Sequence, residues 1–486
     1  MMVFARPVTP AEPALNRRLL RVFVALFLVG AILRAVICFG TVGRVHPDEH
    51  QQYLEQAHRL VYGYGCTFWE QHYGVRHPLY PALLAVPLMG LKELGVTDPF
   101  VRAGVLRWLV ALLALAASAR FAWEFHRRGD SMAALILMAV TSLSSDVAYA
   151  QSHPLTEIAA SVPFLLALVW LDRRPFVAGC LLGLPFAVRF QTAILIACVV
   201  PLAWWGNGFR LAGAFARLSA GLVLTLACMG LGDWMIFGEW FHTPIAYVRA
   251  NFVDGVADYC GVEPWYQYFL WIGGGRWTGF ALMSVLFVAG AWREWRLAVM
   301  LVVFVAVHTA LSHKEARFLL PVAPLALALM AVGLSRFYHA ASESMRVSLA
   351  HAALPALLLL SAIRAGAIEW EQDPFRATAV LLAEAGKLRD VTGVAVCGPT
   401  YCDCGNYFYL SRDLPLATHW TGEFQALIEE KDWLAGRMNY LICGDDVAAR
   451  FAPWSPRAVM SRYGYTLYRL QRESERNTWP ETAAIK

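Results

Sequence analysis

The chain has 486 residues, of which 58% are hydrophobic and only 16% are charged, and it carries a net charge of +5. This composition excludes a soluble globular protein and indicates a polytopic membrane protein. The small positive charge does not indicate a nucleic-acid partner, because the basic residues lie mostly in short loops between apolar segments, where they set membrane topology.

The apolar segments, taken in chain order, predict about eleven membrane crossings. The first, at about 19–39, follows an arginine-rich stretch without a small-residue cleavage site, so we expect an uncleaved anchor with a cytoplasmic N-terminus. A short segment at 79–91 contains two prolines and is predicted to be interfacial or re-entrant. Those at 176–188 and 192–206 are also short and could form one hairpin. The remaining candidate spans lie at about 101–125, 131–150, 157–171, 211–231, 279–292, 297–312, 317–334 and 347–364, and each loop assigned to the cytoplasm holds a basic pair.

The first outer loop begins with a run from His46 to Glu49. Pro47 suits the first turn of a helix, and carboxylates are stabilised at a helix N-terminus, so the run predicts a helix that ends at Gly63. Its apolar residues recur at helical spacing, which predicts an amphipathic, interfacial helix along the bilayer surface. Consecutive side chains point about 100° apart on a helix, so Asp48 and Glu49 cannot both face one substrate. From spacing alone, the alternative that both are ordinary first-turn acids stays open.

Aromatic and acidic side chains alternate in the outer loop at 234–277. Aromatic rings at a membrane interface often form a belt, but a belt does not require so many carboxylates. Rings stack on the C–H faces of a sugar while carboxylates bind its hydroxyl groups, so the loop is also typical of a sugar-binding surface.

Another outer loop places His313, Lys314, Glu315 and Arg317 between two apolar segments. Charges at a membrane boundary are costly unless they meet a ligand or one another. Lys314 and Arg317 lie three residues apart and could clamp one phosphate group, although snorkelling at a helix end explains them as well. Arg189 stands alone between two short apolar segments and has the same two interpretations, an anion ligand or a helix-end anchor.

Beyond residue 368 the sequence has the charge and turn content of a soluble protein. This predicts a membrane domain at 1–368, with its first outer loop at 41–100, and a small α/β domain on the periplasmic face at 369–486. A helix is predicted at 375–388 and strands at 391–397, 407–410, 440–443 and 465–470. No glycine-rich phosphate loop begins any helix there, which argues against a soluble nucleotide-sugar site. Four cysteines favour disulfides over zinc: Cys397, Cys402, Cys404 and Cys443.

Three motifs resemble those of glycosyltransferase family 22, which contains the mannosyltransferases of N-glycan precursor and GPI-anchor assembly. One is the run from His313 to Phe318, and another contains Asp233, Asn251 and Tyr259. Together the motifs cover about residues 19–335. The motif in the first outer loop contains His46, Pro47, Asp48, Glu49, Gln52, Glu55, Gly63, Thr67, Trp69, Glu70, Arg76, Tyr80 and Pro81.

The resemblance implies a GT-C fold and an inverting transfer of mannose, or a similar hexose, from a polyprenyl-phosphate donor to a glycan or glycolipid acceptor. Asp48 would act as the general base, with Glu49 beside it. The charge on the leaving phosphate would be stabilised by His313, Lys314, Arg317 and Arg189. The acceptor and the sugar would be bound by His46, Gln52, Trp69, Glu70, Arg76, Asp233, Tyr259 and Trp265. A monophosphate leaving group makes a metal less necessary, so neither metal nor cofactor is expected.

The chain departs from the family's pattern at positions that bear on the sugar and the acceptor. The residues from Thr67 to Gln71 replace the usual Thr-Trp-Glu-Trp, His77 replaces a serine, and Phe190 replaces a proline. Short loops and many alanines and arginines indicate a bacterial member, for which we expect the plasma membrane and an active site on its periplasmic face. Two other functions stay open: a lipid-linked oligosaccharide ligase or polymerase, and a lipid-linked-sugar transporter.

Overall fold

The computed structural model describes residues 13–259, 261–348, 374–398, 406–420, 436–445 and 447–470, together with positions 352 and 357. The longer helices up to residue 340 are Pro13–Gly40, Leu79–Glu93, Pro99–Arg127, Ser131–Leu143, Thr156–Trp170, Pro175–Val188, Ala193–Gly206, Gly213–Phe237, Trp277–Ala291, Trp295–Ala310 and Ala323–Ala340. Shorter helices are Glu55–Tyr62, Trp69–His72, Ser145–Gln151, His242–Val248, Val256–Tyr259 and Gln267–Ile272. The side chains between the apolar helices form one large hydrophobic core.

The apolar segments predicted between residues 19 and 334 are helical, as expected of a multi-pass membrane protein. Among the described residues, three helices are long and apolar enough to cross a membrane, and a bent pair, Ser131–Leu143 with Ser145–Gln151, could be a fourth. Five shorter apolar helices accompany them in the part of the chain that the structure describes. The number of crossings therefore stays a prediction, and the segment at 347–364 lies almost entirely outside the described residues.

One predicted span, at 131–150, is interrupted in the structure. Ser144 is extended (ψ 124°), and its hydroxyl accepts the backbone N–H of Val147 at 3.5 Å. A serine in this position caps a new helix, because its side chain satisfies a donor that the first turn leaves unpaired. The two helices meet at a bend of 67°, so the chain turns inside a segment that hydropathy alone predicts as one straight helix.

Glycines bring the helices Trp277–Ala291 and Ala323–Ala340 together backbone to backbone. A Cβ atom at Gly290 would lie 1.9 Å from the carbonyl oxygen of Leu329, which is far inside contact distance. Gly333 on the second helix faces the first helix equally closely. Small residues at such crossings allow the close approach on which helix packing in membranes depends.

We expect Gly290→Leu to destabilise the protein, because the added side chain forces these two helices apart. Overpacking of this kind costs roughly 1–3 kcal/mol. The measurement is the melting temperature of the purified protein in detergent micelles. Gly90→Leu is the control, because a Cβ atom at Gly90 meets nothing within 4 Å. Equal melting temperatures for the two variants would contradict the packing described for Gly290.

The helix predicted at the start of the first outer loop is present and ends where predicted. Gly63 terminates it in the left-handed conformation (φ +82°), which a glycine adopts without strain. Its first part, Glu49–Leu54, is a π-helix, and Glu55–Tyr62 continues it as an α-helix. π-Helical turns are rare and often lie at functional sites, but no local sequence pattern predicts one.

The polar face of this helix is buried inside the protein. The side chains that the amphipathic pattern assigns to a polar surface are all buried: Gln51, Gln52, Glu55 and His58. A helix that turns its polar face to water or lipid headgroups is therefore the wrong interpretation. The physical reason is that other segments of the chain cover this face, and Glu55 and His58 hydrogen-bond to them, which a periodicity argument does not include.

The residues after 373 form a helix, Pro374–Lys387, and a five-stranded mixed sheet. The strand order is β2-β1-β3-β5-β4. The bounds are β1 Val394–Gly398, β2 Leu416–Trp420, β3 Tyr440–Gly444, β4 Arg457–Arg462 and β5 Tyr465–Arg469. Strands β2 and β3 flank β1 in parallel, and β5 is antiparallel to both β3 and β4. The predicted helix and three predicted strands match the helix, β1, β3 and β5, whereas β2 and β4 were not predicted.

The strand predicted at 407–410 is wrong, because Tyr407–Leu410 is a single turn of helix. The backbone N–H groups of Tyr407 and Phe408 donate to the carboxylate of Glu55, which satisfies donors that a helix start leaves unpaired. Glu55 lies 352 residues from Tyr407, so no local pattern could indicate this capping interaction.

The predicted disulfides involve two described and two undescribed cysteines. Cys397 and Cys443 lie in register on β1 and β3, and both are buried. Cys402 and Cys404 lie outside the described residues, so the pairing stays a prediction.

The chain forms two compact units that differ from a simple division at residue 369. The first unit contains Met1–Ile37, Trp69–Tyr80 and Arg107–Ile368. The second contains Cys38–Phe68, Pro81–Leu106 and Glu369–Lys486. Most of the first outer loop, including the loop helix, therefore lies in the same unit as the C-terminal residues.

Candidate functional site

The two carboxylates at the start of the loop helix have different partners. Oε1 of Glu49 accepts the backbone N–H groups of Val45 at 2.7 Å and His46 at 3.0 Å, and the Glu49 side chain is buried. Asp48 makes no side-chain capping bond to the helix, and its Oδ1 lies 3.1 Å from Nδ1 of His46. Glu49 therefore orders the preceding loop, whereas Asp48 lies beside an imidazole.

His46 can support Asp48 in two ways. Its Nδ1 atom lies 3.2 Å from the backbone nitrogen of Asp48, as well as 3.1 Å from the carboxylate. The nitrogen accepts the backbone N–H when it is unprotonated and donates to the carboxylate when it is protonated. In either state the imidazole restricts the orientation of the Asp48 carboxylate, which is what a positioned base requires.

A second group of charged side chains is buried in the first unit. Oε1 of Glu157 lies 3.0 Å from Nη2 of Arg189 and 3.4 Å from Nη1 of Arg317. All three residues are buried. The sequence alone does not identify Glu157 as a site residue. Its only distinguishing feature there is that it is an acidic residue in the first turn of an apolar helix.

The two arginines of this group lie close to one aromatic ring. The guanidinium carbons of Arg189 and Arg317 lie 5.2 and 5.4 Å from the ring centre of Phe318. Within the described residues, Nη1 of Arg189 is buried and has no hydrogen-bond partner. An unsatisfied buried guanidinium is unfavourable unless an anion completes its hydrogen bonds.

His313 is held between two acceptor atoms. Its Nδ1 lies 2.7 Å from the carbonyl oxygen of Gly261, and its Nε2 lies 2.9 Å from Oε1 of Glu315. Both nitrogens face acceptors, which favours the protonated ring, and the hydrogen bond to Glu315 raises the pKa of His313 above its ordinary value. Arg317 donates to the other oxygen of Glu315. Glu315 therefore links His313 to Arg317.

The side chain of Lys314 stabilises its own loop in this structure. Its ammonium group donates to the backbone carbonyls of Glu263 (3.0 Å), Leu311 and Ser312 (3.5 Å). A direct contact with a phosphate would require Lys314 to give up one of these carbonyls. Four basic side chains, His313, Lys314, Arg189 and Arg317, lie in this group with the carboxylates of Glu157 and Glu315, and the charge of Glu263 acts on Lys314.

Asp233 is fully buried near the C-terminal end of its helix, Gly213–Phe237. Oδ2 accepts the backbone N–H of Thr243 at 3.0 Å and its hydroxyl at 2.8 Å. Nε2 of His77 lies 3.7 Å from Oδ1, and Nδ1 of His77 accepts the backbone N–H of Leu79 at 3.1 Å. Burial lowers the pKa of His77 below its ordinary value. The histidine that departs from the family pattern is thus a neighbour of a buried carboxylate.

The remaining predicted binding residues divide into exposed and buried sets. Tyr259 and Trp265 are 88% and 65% exposed. Trp69 is partly exposed, whereas Glu70 and Gln52 are buried. The guanidinium of Arg76 lies 5.6 Å from the ring centre of Tyr247. The exposed aromatic residues can therefore stack on a ligand, whereas Glu70 and Gln52 are enclosed by the protein.

The fold is similar to that of ArnT from Cupriavidus metallidurans bound to undecaprenyl phosphate. The TM-score is 0.64, and the match covers 92% of this chain and 97% of that one at 14% identity. Identity this low shows a common fold alone. This similarity agrees with the GT-C-type fold predicted from the motifs.

Two curated relatives are named as mannosyltransferases. Mannosyltransferase APTG1 of Arabidopsis thaliana is 26% identical over 326 residues, which is 62% of this chain and 57% of the relative. GPI mannosyltransferase 3 of Trypanosoma brucei brucei is 28% identical over 374 residues, which is 63% of this chain and 64% of the relative. The chain therefore spans less than two thirds of the length of these relatives.

The family resemblance of the motifs extends over most of the chain. Residues 25–369 match the model of the Alg9-like mannosyltransferase family, and this range includes Asp48, Glu157, Arg189 and Arg317. The chain therefore belongs to the Alg9-like mannosyltransferase family.

Proposed function

We propose that this protein transfers a mannose, or a similar hexose, from a polyprenyl-phosphate donor to a glycan or glycolipid acceptor, with inversion at the anomeric carbon. Family membership and the names of the relatives support a mannosyl transfer. The related solved structure is described as bound to undecaprenyl phosphate, which supports a lipid-phosphate ligand. Within this chain, the observation that carries the proposal is the pair of buried guanidinium groups of Arg189 and Arg317, which share Glu157 and of which Nη1 of Arg189 has no hydrogen-bond partner within the described residues.

The proposed reaction is a single displacement. The acceptor hydroxyl attacks the anomeric carbon from the face opposite the phosphate, and its proton passes to the carboxylate of Asp48. The bond between the anomeric carbon and the phosphate oxygen breaks, and polyprenyl phosphate leaves with an additional negative charge. A positioned base contributes ~10²–10⁴-fold to such a rate, and fixed cations stabilise the developing charge on the leaving group.

The cations have different proposed roles. Arg189 and Arg317 bind the phosphate directly, because planar guanidinium groups match phosphate oxygens in a bidentate geometry. Lys314 and His313 hold the loop that carries Arg317 and add positive charge to the site. Glu157 keeps the two guanidinium groups in place when no donor is bound.

The acceptor is proposed to contact the exposed aromatic residues and the first-loop motif. Tyr259, Trp265 and Trp69 would stack on sugar rings, and Arg76, His46, Gln52, Glu70 and Asp233 would bind hydroxyl groups or hold the loops that do. We further propose that the protein lies in a bacterial plasma membrane and acts on its periplasmic face, as the distribution of basic loops predicts.

The test is to supply the purified protein with polyprenyl-phosphate-mannose or with GDP-mannose, each with a lipid-linked glycan acceptor and radiolabelled mannose. We expect label to enter the acceptor only from the polyprenyl-phosphate donor. Polyprenyl-phosphate-glucose is the matched control for the sugar. Transfer from GDP-mannose alone would overturn the proposed donor.

A further inference from the structure

The side chain of Glu55 connects the loop helix to the C-terminal residues. Its carboxylate is fully buried and accepts three backbone N–H groups: Cys66 at 2.6 Å, Phe408 at 2.9 Å and Tyr407 at 3.2 Å. Two of these donors belong to the first turn of Tyr407–Leu410, a helix too short to be stable without tertiary support. One carboxylate therefore fixes the loop helix and this C-terminal turn to each other.

His50 adds a second connection, one turn earlier in the loop helix. Its Nδ1 lies 3.1 Å from the hydroxyl of Tyr409, and its ring packs 4.3 Å from the ring of Phe375. The side-chain amide of Asn406 lies 3.4 Å from the carbonyl oxygen of His50. The C-terminal residues thus contact the loop helix both within its π-helical part and at the end of that part.

Arg102 completes this contact from another segment of the same unit. Its guanidinium donates to the hydroxyl of Tyr62 at 2.9 Å, to the carbonyl oxygen of Phe408 at 3.3 Å and to the hydroxyl of Ser411. The side chain is buried. Tyr62, the last residue of the loop helix, therefore shares one cation with Phe408 in the C-terminal turn and with Ser411, which caps that turn.

The π-helix lies between Asp48 and Glu55. A π-helical turn has poorer geometry than an α-helix and persists only when its surroundings stabilise it. Glu49 is the first residue of the π-helix, and its side chain binds the backbone of the preceding loop. Glu55 directly follows Leu54, the last residue of the π-helix. The direction of the Asp48 side chain depends on this turn, because Asp48 is its N-cap residue.

We propose that the residues after 373 position the catalytic loop, and that Glu55 is the positioning residue through which they act on Asp48. This inference rests on the proposed role of Asp48 as the general base. The family match ends at residue 369, so the contacting residues Phe375 and Asn406 to Ser411 lie beyond it. In this proposal the start of the helix Pro374–Lys387 and the turn Tyr407–Leu410 support the catalytic loop.

The protonation of Glu55 offers a readout of this contact in solution. Burial raises the pKa of Glu55 to about 7, although the three N–H donors and Arg59 oppose the shift. The phenols of Tyr64 and Tyr407 also lie near this carboxylate, and burial keeps His58 neutral by lowering its pKa to about 3. The folded state then binds the proton more tightly than the unfolded state. Stability therefore falls as the pH rises from 4.5 to about 7, and it is constant above that range.

The experiment compares Glu55→Gln and Tyr409→Phe with Glu384→Gln in the full-length protein. Gln keeps the shape of Glu55 but turns an amide N–H₂ group toward a backbone donor. Tyr409→Phe removes only the hydroxyl next to His50. Glu384 is the control, because it lies on the Pro374–Lys387 helix and pairs with Lys387 at the surface. The readouts are hydrogen–deuterium exchange of residues 47–62, the melting temperature from pH 5 to 8, and kcat with the donor KM.

We expect faster exchange in residues 47–62 for Glu55→Gln and Tyr409→Phe, with the control unchanged. The kcat of Glu55→Gln should fall about 10-fold with little change in donor KM, because a misplaced base slows chemistry more than it weakens binding. The melting temperature of wild type should fall more from pH 5 to 7 than that of Glu55→Gln.

Two outcomes separate this inference from the proposed function. Faster exchange with an unchanged kcat would overturn the inference and leave the proposed transfer intact. An inactive wild-type protein would overturn the proposed function, whereas the exchange and melting measurements would still test the contact. Unchanged exchange in both variants would overturn the inference directly. If Glu55→Gln fails to fold, Tyr409→Phe decides the result alone.

Discussion

Asp48→Asn is expected to lower kcat by ~10²–10⁴-fold while donor binding and folding are retained, because the amide cannot accept the proton of the acceptor hydroxyl. Asn keeps the shape of the side chain and an oxygen atom that can accept from His46. The environment of His46, 3.1 Å from the carboxylate, is therefore disturbed very little. The measurement is kcat and donor KM with saturating acceptor, and the melting temperature reports on the fold.

Glu49→Gln is the matched comparison, and it should behave differently. Both backbone N–H groups donate to the same oxygen of the buried Glu49 carboxylate, Oε1, so the amide oxygen of Gln can accept both of them. We therefore expect Glu49→Gln to keep the order of the preceding loop and to retain most of its kcat. Full activity in Asp48→Asn with activity lost in Glu49→Gln would move the catalytic role to Glu49.

Arg317→Ala is expected to raise the donor KM by about one to two decades. The loss of a charge-assisted contact with a partly buried phosphate costs roughly 1.5–3 kcal/mol. Arg317→Lys should lie between wild type and Ala, because it retains the charge but not the bidentate geometry. The measurement is the initial rate as a function of polyprenyl-phosphate-mannose concentration at fixed acceptor.

Glu157→Gln is the control for this prediction, because it removes a negative charge where Arg317→Ala removes a positive one. It removes the carboxylate that contacts both Arg189 and Arg317, at 3.0 and 3.4 Å, and increases the local positive charge. Donor binding should therefore not weaken, and donor should raise the melting temperature of this variant more than that of wild type. If Arg317→Ala reduced only the amount of folded protein and left donor KM unchanged, Arg317 would be a helix-end anchor.

The sequence predicts the helices and the motif residues because both depend on local patterns. Apolar segments of helical length become helices whatever their partners are, and Gly63 ends the loop helix by a purely local property of glycine. The runs at Asp48 and Arg317 are recognisable because their residue types are rare beside apolar segments.

The parts that the sequence does not predict depend on residues far apart in the chain. Glu157 is an ordinary first-turn acid until Arg189 and Arg317 lie beside it. Residues 407–410 have the aromatic composition of a strand, but Glu55 supplies the hydrogen bonds of a helix start. The polar face of the loop helix is buried for the same reason. In each case a distant charged or polar partner overrides the local propensity.

The central claim is a covalent transfer from a lipid monophosphate, and the most direct measurement is the stoichiometry of the lipid product. Purified protein in liposomes is given labelled polyprenyl-phosphate-mannose and acceptor, and the released lipid is separated from the glycosylated acceptor. We predict one polyprenyl phosphate for each mannose transferred, with neither product formed by Asp48→Asn. Mannose-lipid that crosses the bilayer intact, or release of a polyprenyl diphosphate from a diphosphate-linked oligosaccharide instead, would contradict the account.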